Sequence, residues 1–521
     1  MVKKSFSPRN LPFLQAQILE KVYLDISKNR GFNLEKIAIL TDYSPKSKIL
    51  ENAINALVRK NFLIKSPQNG FAVPEDRYEL FRWIIEKSGY AKKTYSTKIN
   101  DYLEKKTKVL ELFLEEKNIS NLNRYGVIHK WYDYLEDFPY SLIEEKIREY
   151  KLKKDSLVVD PFCGSGTTLV SANMFGMNAI GIDANPLMTF VSKVKTTWDI
   201  GIRKFEGEVR RAANKFLNSV TDLENKKSIS GSLNSMPKKE INQWLSPIMQ
   251  KEVALLKSVI METKDRKVRE LLLLALSKSC FDSSYVALCP GTTFYPFREK
   301  AEFWDAFSDK IIQIHNDLKA IKSHDSYGKS MVYRDTCLNA SNYIKKKSVK
   351  FIITSPPYPN DLEYTRQTRL ELYLLGFVNN MEDVQSIKKE MTKGSTKLIF
   401  KESKSAEHVS EFKYIRDVAD KIYEKTKDKN WGFDYPRMVK EYFGDMYLCL
   451  KKFYPLMAKK SHFLLVVGDQ TIKRVLIPVC DILIKLGEHI GYRNCRKELF
   501  RIRRSTGHDI PLPEEIVILE R

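Results

Sequence analysis

The amino-acid sequence predicts an α/β protein whose ligand site lies at the carboxyl edge of a parallel sheet. Residues 156–159 form an apolar strand, which is followed by a glycine-rich turn, 160–168, and then by a helix-like run, 169–174. A second apolar strand, 349–353, opens into the polar loop 354–358, whose sequence is Thr-Ser-Pro-Pro-Tyr. Because the carboxyl ends of parallel strands share one edge of a sheet, we expect the two loops to form a single site.

Further strand patterns extend the predicted sheet. Residues 178–183 form a strand that ends in Asp183, roughly twenty residues after Asp160, which is the spacing at which a Rossmann-like fold places a ribose-binding carboxylate. Other strand patterns occur at 330–335, 463–469 and 514–520.

The length and charge of the chain predict a multidomain protein that binds a polyanion. A chain of 521 residues exceeds the size of one ordinary domain core. Lys and Arg number 88 against 65 Asp and Glu, which gives a formal net charge of +23. This excess favours nucleic acid as the partner, and a generally lysine-rich composition is the alternative explanation.

Membrane, disulfide and metal-binding classes are not expected. No uninterrupted apolar run reaches the ~18 residues of a transmembrane helix, and residues 1–5 lead into no signal-peptide core. The seven cysteines are scattered without a CxxC pair, which indicates reduced thiols and neither a disulfide framework nor a zinc site. We therefore predict a cytoplasmic protein that holds no metal.

Residues 1–80 are predicted to form a winged-helix-like domain. Helical patterns occur at 15–28, 34–40 and 46–60. Two short strand-like runs follow, on either side of the turn-forming residues 67–70. If this domain contacts DNA, Lys46 and Lys48 are expected near phosphates. Packing or protein contact is an equal alternative, because the motif has no diagnostic residues.

Two other regions outside the predicted sheet are helical. Residues 81–121 are charged and are predicted to be a helical connector. Residues 201–329 exceed an ordinary strand-to-helix connection and are predicted to be a helical insertion. Helical periodicity within the insertion covers 205–218, 247–263 and 267–280.

The two polar loops resemble motifs I and IV of the S-adenosylmethionine-dependent DNA methyltransferases that modify exocyclic amino groups. The residues that carry this resemblance are Asp160-Pro161-Phe162-Cys163-Gly164-Ser165-Gly166-Thr167-Thr168 and Ser355-Pro356-Pro357-Tyr358. Within the family, the Ser-Pro-Pro-Tyr form resembles the N4-cytosine branch. The resemblance implies a Rossmann-like methyltransferase fold, in which a mostly parallel sheet ends in an antiparallel hairpin. It places the catalytic domain at 122–200 and 330–521.

The first motif implies S-adenosyl-L-methionine as the cofactor. In the family, glycines such as Gly164 and Gly166 let the backbone approach the methionine portion of the cofactor. The aspartate at Asp160 helps to hold the amino end, and Asp183 bonds the ribose hydroxyls. Asp335 matches an acidic position that reaches the adenine. The expected cofactor-binding residues are Asp160, Pro161, Phe162, Cys163, Gly164, Gly166, Thr167, Thr168, Asp183, Ala184 and Asp335.

The second motif implies the transfer step. An exocyclic amine is a poor nucleophile because its lone pair is delocalised into the ring, and acceptors for its protons draw that lone pair towards the methyl group. Ser355 Oγ and the Pro356 carbonyl are the expected acceptors. The prolines Pro356 and Pro357 fix the turn, and Tyr358 is expected to stack on an extruded base. C5-cytosine methylation is not expected, because the chain contains no Pro-Cys dipeptide.

Two regions are candidates for recognition of the DNA target. The insertion 201–329 is the favoured candidate, because it contains the aromatic and basic cluster Phe294, Tyr295, Arg298 and Lys300. The basic region 362–440 is the rival candidate. Both clusters are also compatible with solvated surface. The candidate DNA-binding residues are Lys46, Lys48, Phe294, Tyr295, Arg298, Arg366 and Arg369.

We therefore predict an enzyme that forms N4-methylcytosine at a short sequence in double-stranded DNA. The expected setting is a restriction-modification or other defence system, with a cognate restriction endonuclease as a further partner. N6-adenine methylation is the first alternative. Base methylation of RNA or tRNA is another, because some guanine-N2 enzymes share a Pro-Pro-Tyr loop. A DNA-binding regulator that retains an inactive methyltransferase fold is the alternative from a different class.

Overall fold

The computed structural model describes residues 48–59, 63–66, 70–72, 128–134, 138–220, 236–288, 292–294, 300–322, 327–428, 434–504 and 511–521. The chain comprises two compact units. The first contains residues 1–113, 210–262 and 276–309, and the second contains residues 114–209, 263–275 and 310–521. Among the described residues, no helix has both the length and the hydropathy needed to cross a membrane. The domain limits expected from the sequence remain predictions.

A seven-stranded sheet lies in the second unit. Its strands are Leu157–Asp160 (β1), Asn178–Asp183 (β2), Ser330–Arg334 (β3), Val349–Thr354 (β4), Met457–Gly468 (β5), Arg493–Arg504 (β6) and Pro511–Glu520 (β7). The order across the sheet is β6-β7-β5-β4-β1-β2-β3, in which β1 to β5 are parallel and β7 is antiparallel to both of its neighbours. The predicted α/β class, with a mostly parallel sheet and a terminal antiparallel hairpin, is confirmed.

Both faces of the central strands are buried. Val159 of β1 packs in one core cluster with Ile180 and Ile352, whereas the preceding residue, Val158, packs in a second cluster with Phe351. Successive side chains of a strand point to opposite faces, so this alternation places one cluster on each side of the sheet. A strand covered on both sides has no polar face, which explains the continuous apolar runs in the sequence.

Helices and short turns account for much of the rest of the second unit. The helices that lie wholly in it are Tyr140–Glu149, Thr167–Met174, Pro186–Lys195, Tyr364–Gln367, Arg369–Leu375, Met381–Glu390, Lys413–Thr426, Asp434–Phe453 and Val479–Ile490. Turns of 3-10 helix occupy His129–Trp131, Cys337–Asn342, Thr396–Leu398 and Ser405–Val409. A small antiparallel hairpin pairs Gln470–Ile472 with Val475–Ile477.

In the first unit, the described residues include part of the predicted winged helix. The helix Lys48–Arg59 corresponds to the one predicted at 46–60. The strands Ile64–Ser66 and Gly70–Ala72 pair antiparallel on either side of the predicted turn. The helices predicted at 15–28 and 34–40 and the connector 81–121 lie outside the described residues, so the winged-helix domain remains a prediction.

The helices predicted within residues 201–329 are present with shifted ends, as Ile202–Val220, Pro247–Met261 and Arg266–Asp282. The structure adds elements that the sequence patterns did not predict, namely the helices Lys238–Trp244 and Phe303–Lys322 and a hairpin of Val286–Leu288 with Thr292–Phe294.

Candidate active site

Two glycines with left-handed backbone shape the turn after β1. Gly164 has a φ of 48° and Gly166, which immediately precedes the helix Thr167–Met174, has a φ of 87°. A Cβ atom on Gly166 would lie 3.0 Å from both Cα and Oγ of Ser192, so close packing as well as backbone conformation favours glycine there. Ser192 Oγ donates a 2.6 Å hydrogen bond to the Gly164 carbonyl and holds the turn in place.

Asp183, the last residue of β2, braces this turn from the neighbouring strand. Its Oδ2 accepts a 2.9 Å hydrogen bond from the Gly164 N–H, and its Oδ1 accepts a 2.8 Å bond from the Asn185 N–H. Each carboxylate oxygen has a second lone pair, so Asp183 retains acceptor capacity for a ligand hydroxyl. Burial raises the pKa of Asp183 to about 6, and the hydrogen bonds from Asn185 and Gly164 oppose that rise.

Asp160 is more deeply buried than Asp183. It is fully buried at the end of β1, and its Oδ1 accepts a 3.1 Å hydrogen bond from the Phe162 N–H. Burial raises the pKa of Asp160 to about 6, and the charge of Asp183 adds to the rise. No ion pair joins either carboxylate to a lysine or arginine in the described part of the chain, so this corner of the site carries uncompensated negative charge when both are ionised.

Asp335 follows β3 and is already hydrogen-bonded by three groups. Its Oδ1 accepts 2.8 Å bonds from the Thr336 N–H and from Asn339 Nδ2, and its Oδ2 accepts a 2.6 Å bond from Tyr343 Oη. Burial by itself would raise the pKa of Asp335, but these donors outweigh it and lower the pKa below its usual value. The predicted contact with adenine therefore has to share these oxygens with the Tyr343 and Asn339 side chains.

The second motif continues directly from β4. Ser355 and Pro357 are half-buried, while Pro356 and Tyr358 are buried. Ser355 Oγ lies 3.4 Å from Tyr358 Oη, and Tyr358 Oη lies 2.8 Å from Glu514 Oε1 on β7. The loop is thus connected both within itself and to the antiparallel hairpin.

A segment well beyond the motif packs against this loop. A Cβ atom on Gly394 would lie 2.5 Å from the Tyr358 carbonyl oxygen, so only glycine allows the approach. The Asp361 N–H donates a 3.0 Å hydrogen bond to the Gly394 carbonyl, and Asp361 Oδ1 accepts a 2.9 Å bond from Ser395 Oγ and a 2.8 Å bond from the Thr396 N–H. Part of the predicted basic region 362–440 therefore supports the motif.

The Tyr358 ring is not an open stacking surface in this structure. Its exposed fraction is 8%, and the Arg503 guanidinium lies 5.2 Å from the ring centroid. Arg503 Nε also lies 3.4 Å from Glu514 Oε1. A base that stacks on the ring face covered by Arg503 would have to displace that guanidinium.

The two motifs line one cavity of about 320 Å³. The predicted residues in its lining are Pro161, Phe162, Cys163, Gly164, Thr167, Asp183, Ala184, Asp335, Ser355, Pro356, Pro357 and Tyr358. Asp160, Gly166 and Thr168 are buried beside it; Thr168 Oγ1 donates a 3.3 Å hydrogen bond to the Ile353 carbonyl of β4. Burial raises the pKa of the Cys163 thiol well above its usual value, so it remains a protonated packing group.

Several lining residues were not predicted. They are Tyr134, Asn185, Met188, Thr336, Cys337, Tyr364, Glu390, Met391, Thr392, Arg501, Arg503 and Glu514. The arginines at 501 and 503 alternate along β6, a period-2 pattern that indicates a strand with one basic face. That pattern was available from the sequence, but it does not show which residues the basic face meets.

Of the candidate DNA-binding residues that the structure describes, none lines this cavity. Arg366 is exposed on the helix Tyr364–Gln367, whereas Arg369 Nη2 lies 3.7 Å from Glu363 Oε2 in an intramolecular ion pair. Phe294 ends a strand and Lys48 begins a helix. The remaining three, Lys46, Tyr295 and Arg298, lie outside the described residues, and the DNA-binding roles stay predictions.

Within the described ranges, one group of residues has ligand atoms close enough to hold a metal ion. Asp469, Cys480 and Glu515 each offer an atom within 4.8 Å of the others. Lys497 Nζ lies 3.1 Å from Glu515 Oε2, so the Glu515 carboxylate already forms an ion pair within the protein. The expectation that the protein holds no metal stays a prediction.

Comparison with known sequences shows that the chain is similar to DNA methylases. The N6_N4_Mtase family model, described as a DNA methylase, matches residues 23–189, a range that includes the glycine turn and Asp183. The Type II methyltransferase M.BsoBI of Geobacillus stearothermophilus is 28% identical over 277 residues, which are 49% of this chain and 54% of the relative. This chain therefore spans about half the length of that relative.

A second relative aligns over more of its length. The Type II methyltransferase M.AvaI of Anabaena variabilis is 24% identical over 391 residues, which are 70% of this chain and 79% of the relative. M.MjaII of Methanocaldococcus jannaschii is 32% identical, but only over 112 residues, or 22% of this chain and 21% of the relative.

Proposed function

Because the chain belongs to the exocyclic-amino DNA methyltransferase family, we propose that it methylates the N4 amine of cytosine in duplex DNA and uses S-adenosyl-L-methionine as methyl donor. One observation carries the proposal. Ser355 lines the same cavity as Gly164 and Asp183, so a polar side chain suited to an amine lies beside a turn suited to a nucleotide-like cofactor.

The residues of the cavity fit the proposed cofactor. Gly164 lines the cavity with a left-handed φ of 48°, and glycine at position 166 lets the turn pack closely against Ser192. Asp183 offers acceptor capacity for ribose hydroxyls, and the uncompensated carboxylates of Asp160 and Asp183 suit a ligand that carries positive charge. When bound, the cofactor supplies an activated methyl group on a sulfonium centre.

The second motif would prepare the amine. Ser355 Oγ and the Pro356 carbonyl accept its two N–H groups, and these bonds draw the nitrogen lone pair out of conjugation with the ring. Because both acceptors follow a buried strand, they are held in place before substrate arrives, and positioning accounts for most of the rate gain.

Serine at position 355 supports cytosine as the target. A neutral hydroxyl is a weaker acceptor than the aspartate of many amino-methyltransferases, and it resembles the N4-cytosine branch. N6-adenine methylation remains the second candidate, because the matched family model is named for both the N6 and N4 classes.

Duplex DNA is the proposed partner, and a restriction-modification system is the proposed setting. The net charge of +23 supports binding to a polyanion. The matched relatives are Type II methyltransferases by name, which supports a short target sequence and a cognate endonuclease.

The test is to express the chain in a host that lacks DNA methylation, digest the DNA to nucleosides and identify the products by mass. N4-methylcytosine is the expected product, and N6-methyladenine would establish the adenine alternative. Methyl groups on total tRNA but not on DNA would overturn the proposal.

A substitution in the catalytic motif separates chemistry from binding. Ser355→Ala should lower methyl transfer by ~10² because one polar contact to the reacting amine is lost. Cofactor and DNA affinities should change little. Ser386→Ala, at an exposed helical site, is the matched control and should leave turnover unchanged. Normal turnover in Ser355→Ala would overturn the role of Ser355.

A further inference from the structure

A chain of three hydrogen-bonding groups runs from the cavity into the antiparallel hairpin. Ser355 Oγ lies 3.4 Å from Tyr358 Oη, which is the long end of the hydrogen-bonding range, and Tyr358 Oη lies 2.8 Å from Glu514 Oε1. Glu514 is 3% exposed and belongs to β7, far from the motif in sequence. The chain therefore links the amine-facing hydroxyl to a buried carboxylate.

The direction of this chain follows from the number of protons available. Tyr358 has one hydroxyl proton and two acceptors within reach, Glu514 Oε1 at 2.8 Å and the Val466 carbonyl at 3.2 Å. The carboxylate is both nearer and charged, and it therefore takes the proton. Burial and the charge of Glu514 raise the pKa of Tyr358 well above its usual value, so its hydroxyl stays protonated and available to donate.

Once Tyr358 donates to Glu514, its oxygen is free to accept from Ser355. The Ser355 proton then points towards Tyr358, and the lone pairs of Ser355 Oγ face the rest of the cavity. Those lone pairs are what a target amine needs, because Ser355 can draw out the nitrogen lone pair only as an acceptor. If the hydrogen bond ran the other way, from Tyr358 Oη to Ser355 Oγ, the Ser355 hydroxyl proton would point into the cavity and Ser355 would act as a donor there.

Two arginines of β6 hold Glu514 in position. Arg501 Nε pairs with Glu514 Oε2, and Arg503 Nε lies 3.4 Å from Glu514 Oε1. Gly468 of β5, which pairs with Glu514 across the sheet, makes room for Arg503, because a Cβ atom on Gly468 would collide with Arg503 Nη2. A carboxylate balanced by two guanidinium groups is a fixed anchor for the Tyr358 hydroxyl.

We propose that Glu514 is a positioning residue which, through Tyr358, sets Ser355 as a proton acceptor and receives the proton that the amine loses. This inference rests on the proposed methylation of an exocyclic amine. As the amine nitrogen forms its bond to the methyl carbon, the carbon–sulfur bond of the donor breaks. The amine N–H proton passes to Ser355 Oγ, the Ser355 proton to Tyr358 Oη, and the Tyr358 proton to Glu514. The methylated amine ends neutral, the donor becomes a neutral sulfide, and Glu514 becomes a neutral acid.

Two substitutions interrupt the chain at different points. Tyr358→Phe removes one hydroxyl and keeps the ring beneath Arg503, and Glu514→Gln keeps the shape of the side chain but cannot take up the proton. Each should lower the single-turnover rate at saturating S-adenosylmethionine and duplex DNA by roughly 10². The dissociation constants for S-adenosylmethionine and DNA should stay near those of the wild type.

The double variant is the decisive measurement. If both residues act through one chain, Tyr358→Phe with Glu514→Gln should be no slower than the slower single variant, because the second change removes nothing further. The matched controls are Tyr492→Phe, which loses a buried 3.0 Å hydrogen bond to the Leu450 carbonyl, and Glu515→Gln, which changes the adjacent residue of β7. Both controls should turn over at the wild-type rate.

Several outcomes would overturn the inference. They are a wild-type rate in Tyr358→Phe, a weakened substrate affinity with an unchanged rate, and rate losses that multiply in the double variant. If the wild type methylates DNA and Tyr358→Phe does so at the same single-turnover rate, the proposed role of Glu514 is wrong but the proposed function stands. If the wild type transfers no methyl group at all, the proposed function fails, and this inference fails with it.

Discussion

The Gly164 N–H donates a 2.9 Å hydrogen bond to Asp183 Oδ2, which joins the turn after β1 to the end of β2. The residue expected to bind ribose thus also holds the backbone expected to approach the cofactor. A substitution at Asp183 is therefore expected to weaken cofactor binding in two ways. It removes the contact with the ribose, and it removes the hydrogen bond that holds the Gly164 turn.

Cofactor binding should weaken in Asp183→Ala. The loss of a charged acceptor is expected to cost ~1.5–3 kcal/mol of S-adenosylmethionine binding free energy. Isothermal titration calorimetry measures this directly. Asp417→Ala, an exposed change on the helix Lys413–Thr426, is the control and should bind as the wild type does. Unchanged affinity in Asp183→Ala would rule out the ribose contact.

A side chain at Gly166 should destabilise the protein. Gly166→Ala combines a φ of 87° with a 3.0 Å approach to Ser192, and we expect a loss of about 1–3 kcal/mol in the free energy of unfolding. Gly207→Ala is the matched control, since a Cβ atom there, on the helix Ile202–Val220, would meet nothing within 4 Å apart from its chain neighbours and the nearby backbone of its own helix. That change should be neutral or stabilising by about 0.5–1 kcal/mol, as measured by urea denaturation. Equal effects at both glycines would contradict the packing argument.

Stability and cofactor binding should respond to pH in opposite directions at Asp183. Burial raises its pKa to about 6 from 3.8, so the stability that its protonation provides is present below pH 3.8 and is lost as pH rises through about 6. A cationic cofactor prefers the ionised carboxylate, so its affinity should fall as pH drops through the same range. Asp160 has its pKa raised to about 6 for the same reason and should contribute in the same sense.

The measurement compares the wild type with Asp183→Asn between pH 5 and 7. Urea denaturation of the ligand-free protein should show the wild type losing stability relative to Asp183→Asn as pH rises. Calorimetry should show a pH dependence of S-adenosylmethionine affinity that is shallower in the variant, because the substituted amide does not titrate. Parallel pH profiles in the two proteins would exclude Asp183 as a source of either effect.

Exposed Arg366 should contribute to DNA binding more than paired Arg369 does. Arg366→Ala is expected to reduce the slope of log affinity against log salt by about 1, because one phosphate contact is lost. Arg369 is engaged with Glu363 at 3.7 Å, so Arg369→Ala should change the slope less. Fluorescence anisotropy across a salt series measures both slopes. Identical slopes for the wild type and Arg366→Ala would remove Arg366 from the interface.

The sequence by itself determined the features that depend on neighbouring residues. The glycine turn, the Ser-Pro-Pro-Tyr loop and the apolar strands β1, β2 and β4 were predicted because turn chemistry and hydrophobic runs are local properties. The α/β class followed from their order. The strand Arg493–Arg504 was not predicted, since an edge strand rich in charge lacks the apolar pattern of a buried strand.

Only the tertiary structure decided which distant groups meet the motifs. Tyr358 and Glu514 touch because β7 inserts between β5 and β6, a pairing whose register is set by burial across the whole sheet. Gly394 reaches the Tyr358 carbonyl only after the intervening chain has folded back. No local pattern encodes such contacts, so the proposed partners of Ser355 became visible only once the strands were paired.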